Sequence, residues 1–115
     1  MTERTQGSDP DVRAAKNEVV LRDLNERLEA HHKWVGKRFS EWVCECADET
    51  CVMPVVLSIA EYEHVRANPM RFVVAPAAEH VNRRIERVVQ RDERYWVVEK
   101  VGVAAEITED LDPRP

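Results

Sequence analysis

Two residue types that carry much of protein chemistry are scarce in this chain. Of its 115 residues only three are glycine and three are cysteine, and no apolar run approaches membrane-spanning length. So few glycines leave no Gly-rich phosphate loop and no Gly-x-Ser-x-Gly elbow, which removes the common nucleotide-binding and serine-hydrolase templates. Residues 1–10 are polar and lack an apolar core segment, so no secretory signal is expected there. The net charge is −5 and Lys and Arg are interspersed with acids along the sequence, so neither nucleic acid nor a membrane is an expected partner. No helix-turn-helix is evident. An odd cysteine count argues against a disulfide framework, and the chain reads as cytoplasmic. Thirteen Arg against four Lys, with abundant Ala and Val, is a bias associated with GC-rich bacterial genomes.

The length suits one domain. Residues 1–10 and 108–115 are polar, acidic or proline-bearing and are expected to form disordered tails. Residues 11–36 read as an amphipathic helix, with Asp11 placed to cap it. Leu21, Leu24, Leu28 and Val35 recur at helical spacing. In heptad terms the seam runs Ala14, Asn17, Leu21, Leu24, Leu28, His31, Val35, and its Asn and His make it a weak coiled coil. This stripe either packs on the chain's own domain or binds a protein partner, a second copy included.

Residues 37–107 read as an α+β unit with a small, mostly antiparallel sheet. Phe39–Cys46 and Val52–Leu57 have strand character, and Pro54 marks an edge. Ser58-Ile59-Ala60-Glu61 is a capping box that opens a short helix ending near Asn68-Pro69. Met70–Ala75 is a third strand. Ile85–Gln90 and Tyr95–Val101 fit a hairpin, although the first also admits a helix.

All three cysteines fall within "CECADETC", residues 44–51. Side chains alternate along a strand, so Cys44 and Cys46 share a face. A turn at Ala47–Thr50, which Asp48 suits, returns Cys51 toward them. Three clustered sulfurs favour a soft cation, Zn²⁺ first, and a tetrahedral structural zinc asks for a fourth ligand. His31, His32, His64 and His80 are the candidates. His80 is chosen because it lies in a loop after the third strand. Trp42 shares the cysteine face and is expected to shield the metal. Tyr62, Arg66 and Arg71 are expected to be structural, with the arginines paired to acids such as Glu61 or Glu99.

The segments "WVCECADETC", "LSIAEYEHVRANPMRFVVAP" and "ERVVQRDERYWVVEKVGVAAEI" resemble a group of small bacterial proteins of uncharacterised function. That group shares Cys-x-Cys-x4-Cys, Glu-Tyr-x-x-Val-Arg-x-x-Pro and a later Pro-Gly-His-Glu. The likeness covers roughly residues 39–107 and is good at Glu61, Tyr62, Val65, Arg66 and Pro69. Where the group has Pro-Gly-His, this chain has Pro76-Ala77-Ala78. Counted back from Glu86–Val89, however, His80 falls at the group's histidine. The resemblance implies a metal site and no particular activity.

Three functions are compatible with such a site. The leading one is a structural Cys44, Cys46, Cys51, His80 zinc staple in a protein-interaction or regulatory module. The second is a redox-responsive zinc-thiolate switch, favoured if the cysteines stand exposed among Glu45, Asp48 and Glu49. The third is a small zinc hydrolase using Glu45, Glu49 or Glu79 as base, although the zinc-deaminase signature is absent.

Overall fold

A computed structural model describes residues 9–114. The chain runs α1 (Pro10–Val35), β1 (Ser40–Val43), β2 (Pro54–Leu57), α2 (Ile59–Arg66), β3 (Arg71–Val74), a 3-10 turn (Ala78–His80), β4 (Glu86–Arg91), β5 (Trp96–Lys100) and α3 (Val103–Asp110). It is the expected α+β fold, a long N-terminal helix against small antiparallel sheets. β1 pairs with β2, and a second sheet has the order β3-β5-β4, all antiparallel. The expected tail over 1–10 lies outside the described residues as far as residue 8.

The helix begins two residues before the expected Asp11. Asp9 is the cap, accepting a hydrogen bond from the Asp11 N–H at 2.9 Å, because Pro10 suits the first helical position and has no N–H to leave unpaired. Gly36 ends it in the left-handed region at φ 77°, donating its N–H to the His32 carbonyl.

Which face of α1 is buried departs from the pattern of its leucines. The buried residues are Val12, Ala15, Glu18, Val19, Arg22, Asn25 and Glu29. The period is helical, but most of the inward stripe is polar. Leu24 (42 % exposed) and Val35 (41 %) face outward, and Leu21 and Leu28 are only half-buried. The stripe therefore does not supply the helix's packing on its own domain.

The polar face has a physical reason: it satisfies backbone groups of other elements. The Asn25 amide accepts from the Val43 N–H and donates to the Val43 carbonyl, both at 2.9 Å, in the manner of a neighbouring strand. Two residues back, His32 Nε2 donates to the Glu41 carbonyl at 2.9 Å. Helix side chains thus cap the edge of β1 that β2 does not pair. Arg22 donates to the carbonyls of Pro69 (2.7 Å) and Thr108 (2.9 Å) and lies over the Phe72 ring. Asn25→Ala would leave buried donors and acceptors unpaired. The expected cost is about 2–3 kcal/mol, read as a lower midpoint in urea.

The capping box forms as expected, with Ser58 and Glu61 exchanging hydrogen bonds at 2.8 and 3.1 Å. The hairpin also forms, with an extra residue in β4 between Val88 and Gln90. The core joins Trp42, stacked on Tyr62 at 4.1 Å, to Phe72, Val73, Val97 and Val98. Tyr62 is fully buried, and its hydroxyl donates to Glu26 at 2.7 Å.

Of the stretch expected as a tail, 108–115, residues 108–114 are described and Pro115 lies outside the described residues. Residues 103–110 are helical, and buried Ala104 packs with Ala15 and Ile85. Beyond the helix, Asp112 pairs with Arg66 at 2.5 Å, and Arg114 bridges Glu26, Glu29 and Glu63. Arg71 pairs with Glu99 as expected, whereas Arg66 pairs with Asp112 and Glu26.

This clamp makes stability depend on pH. Burial, then the neighbouring Glu63, pushes the Glu29 carboxyl from its ordinary 4.5 up to about 7. An acid that holds its proton more tightly when folded favours the fold most at low pH. Its contribution declines as pH rises from 4.5 through about 7 and is constant above. Gln mimics the protonated acid, accepting from Arg114 and donating to Glu63. Glu29→Gln should therefore gain stability over wild type between pH 5 and 8, by on the order of 2 kcal/mol at the upper end. Thermal midpoints of the two proteins across that range check this; a constant offset would contradict it.

Candidate metal centre

The segment carrying the cysteines runs between the two sheets. Cys44 N–H donates to the Met53 carbonyl at 3.2 Å, extending the β1–β2 pairing. The next residue turns the other way: Glu45 N–H donates to the Val73 carbonyl at 2.8 Å, joining the segment to β3. Alternation then puts Cys44 and Cys46 on one side and Glu45 on the other. Asp48 makes the expected turn, its carboxylate accepting from the Thr50 N–H and hydroxyl and its carbonyl from the Cys51 N–H.

Leaving β3, the chain bends at Ala75–Ala77 into the 3-10 turn that ends on His80. Cys44, Cys46, Cys51 and His80 thereby converge, with one potential ligand atom from each lying within 4.8 Å of the others. His80 Nδ1 is 3.6 Å from Cys44 Sγ and 3.7 Å from Cys51 Sγ. A tetrahedral zinc with Zn–S near 2.3 Å and Zn–N near 2.0–2.1 Å has sulfur–nitrogen edges of about 3.6 Å. Cys44 and Cys46 are buried, while Cys51 and His80 are half-buried.

Among the described residues, the other histidines do not join this cluster. His32 is committed to the Glu41 carbonyl and sits edge-on to Trp42 with ring centroids 4.6 Å apart; His31 and His64 are exposed. Trp42 lies in the same buried cluster as Cys44 and Cys46.

A backbone amide reaches one buried sulfur: Ala75 N–H donates to Cys44 Sγ at 3.2 Å. Backbone groups at Asp48 and Met53 act to lower the Cys46 and Cys51 thiols, as Ala75 does for Cys44. With no cation the thiols share protons: a hydrogen bond from Cys44 holds Cys46 at about 5, while Cys44, hydrogen-bonded to Cys46 and buried, and Cys51, desolvated, are pushed up. Only a bound cation would favour all three ionised together.

Glu45 does not stand beside the sulfurs in water. It is fully buried on the opposite side, its carboxylate accepting from the Val73 N–H (2.9 Å) and the Asn25 amide (2.8 Å). Burial raises its pKa to about 7, opposed by those two donors. It locks β1, β3 and α1 together. That removes it as a base for hydrolysis at this centre and removes one of the acids that had marked the cysteines as exposed. Glu49 and Glu79 are exposed.

The sequence reading missed Asn25, Glu45 and Ala75 as supports of this centre. A helical Asn in line with Glu18, Arg22 and Glu29 was the available signal for Asn25; for Ala75, whose main chain does the work, there was none.

Comparison with known families, with curated proteins and with solved structures finds no match to this chain. No helix among the described residues is long and apolar enough to cross a membrane.

Proposed function

We propose that Cys44, Cys46, Cys51 and His80 hold one Zn²⁺ as a structural staple, and that the protein so folded is a protein-interaction module. The observation that carries the first part is the convergence of three sulfurs and a His80 ring nitrogen within 4.8 Å of one another, with Nδ1 3.6 and 3.7 Å from two of the sulfurs. Zinc is the preferred cation because three thiolates and an imidazole match its soft, four-coordinate preference. Four protein donors complete that shell and leave no position for an activated water, so a structural role is favoured over hydrolysis. A thiol-rich centre of this kind belongs in a reducing, cytoplasmic setting.

Half-exposed Cys51 favours a second reading, a redox-responsive zinc-thiolate switch. Two of its three sulfurs are buried, which favours the staple.

The interaction role rests on what α1 leaves uncovered. Leu24 and Val35 face outward, half-buried Leu21 and Leu28 extend that stripe, and Val20 beside it is 64 % exposed.

The test is elemental analysis of purified protein. One zinc per chain is expected, falling well below one in His80→Ala and Cys46→Ser, with stability falling in parallel. Unchanged metal content in both variants would refute the ligand set.

A further inference from the structure

Resting on the interaction-module reading, and naming the partner's chemistry, we propose that the C-terminal end of α1 and the turn into β1 dock an acidic peptide segment of a partner protein that carries apolar side chains.

The turn "HHKWVGKRFS", residues 31–40, contains no acid and carries three positive charges, from Lys33, Lys37 and Arg38. With a net −5 over the chain, the rest of the molecule carries −8. Elsewhere along the chain the basic residues are interspersed with acids. Lys33 is explained locally, as the partner of Glu29 at 3.9 Å and a favourable charge at a helix C-terminus. Lys37 and Arg38 have no such explanation, since no ion pair joins either to a carboxylate among the described residues.

Apolar surface lies among these charges. Trp34 is 86 % exposed, Phe39 43 % and Val35 41 %. A tryptophan that open, on a chain with seven aromatic residues, is unusual for surface that serves only the fold. Phe39 is fixed rather than loose, with the Arg38 and Arg94 guanidiniums 5.5 and 5.0 Å from its ring. Val35, Phe39 and Val56 line a cleft of about 530 Å³, with His31, Lys37 and Glu41 beside them. That volume admits a few anchoring side chains, and Lys37 on the lining, with Arg38 over the Phe39 ring, supplies positive charge for flanking carboxylates against the one acid of the lining, Glu41. An aromatic and aliphatic anchor site with a cationic rim is the arrangement that protein hot spots use, and the charge selects an acidic partner.

The full zinc-loaded chain is titrated with a fluorescein-labelled peptide of four Glu–Leu repeats, and in parallel with its Lys–Leu counterpart, single-stranded DNA and phosphatidylserine vesicles. The acidic peptide should bind, weaken with added salt, and lose about tenfold or more in affinity in Trp34→Ala and in the Lys37→Glu, Arg38→Glu double variant. Arg83→Glu, on a distant exposed basic residue, should leave affinity unchanged. No binding, equal loss in Arg83→Glu, or tighter binding of DNA or vesicles that the same variants abolish would overturn the proposal. Zinc content and thermal midpoint, unchanged in these exposed variants, separate its failure from failure of the metal site. Binding lost in Leu24→Asp but kept in the cleft variants would place the interaction on the helix stripe and reject the cleft.

Discussion

Protein stripped of its metal by a strong chelator is expected to lose its cooperative thermal transition near room temperature and to regain it on adding zinc. The magnitudes decide this. A domain of this size has a net stability of about 5–15 kcal/mol, while a structural zinc site contributes about 10–16 kcal/mol of folding free energy. Cys44 and Cys46 are buried between the sheets, and Cys51 and His80 arrive from separate turns. Without the cation, a cluster of polar sulfurs that cannot all ionise together occupies the joint between β1 and β3. Far-ultraviolet circular dichroism against temperature, with and without chelator, gives the readout. A transition that survives chelation unshifted, with zinc shown to be gone, would reject the staple.

Lys100→Ala is the second large effect. The Lys100 ammonium is fully buried, 2.6 Å from Glu18 Oε1, paired with Glu86 and over the Phe72 ring at 4.6 Å. Glu86 also accepts from the Asn82 N–H at 2.9 Å. Burial drives the Glu18 carboxyl well above its ordinary range, with Lys100 opposing, which favours the neutral form of Glu18. Removing the ammonium leaves a buried carboxylate uncompensated, at an expected cost of about 3–5 kcal/mol. Glu18→Gln, which keeps the neutral form, should cost only about 1 kcal/mol. Denaturant midpoints of the two variants check the contrast. Equal losses would mean that Glu18 is ionised and shares the lysine.

Much of the fold was legible where one local pattern decides it. The capping box at Ser58–Glu61, the β4–β5 hairpin, the alternation of Cys44 and Cys46 and the Asp48 turn depend on neighbours in sequence. The set Cys44, Cys46, Cys51 and His80 was legible because rare ligand types stood out against a chain with few alternatives. The inward face of α1 was not. Hydrophobic periodicity selects leucines, whereas Asn25, Arg22 and Glu18 are buried for the hydrogen bonds and charges they meet on distant elements. α3 was missed because the expected last strand stopped at Val101 and the short run after Gly102, which adopts φ 62°, was given no element of its own. The order beyond residue 108 depends on Arg114 reaching Glu26, 88 positions away, which no local reading contains.

X-ray absorption at the zinc edge on the purified protein tests the central claim most directly. The account predicts one zinc per chain with three sulfur scatterers at about 2.3 Å and one nitrogen at about 2.0–2.1 Å. A shell dominated by oxygen or nitrogen, or protein purified folded and free of any metal, would contradict it.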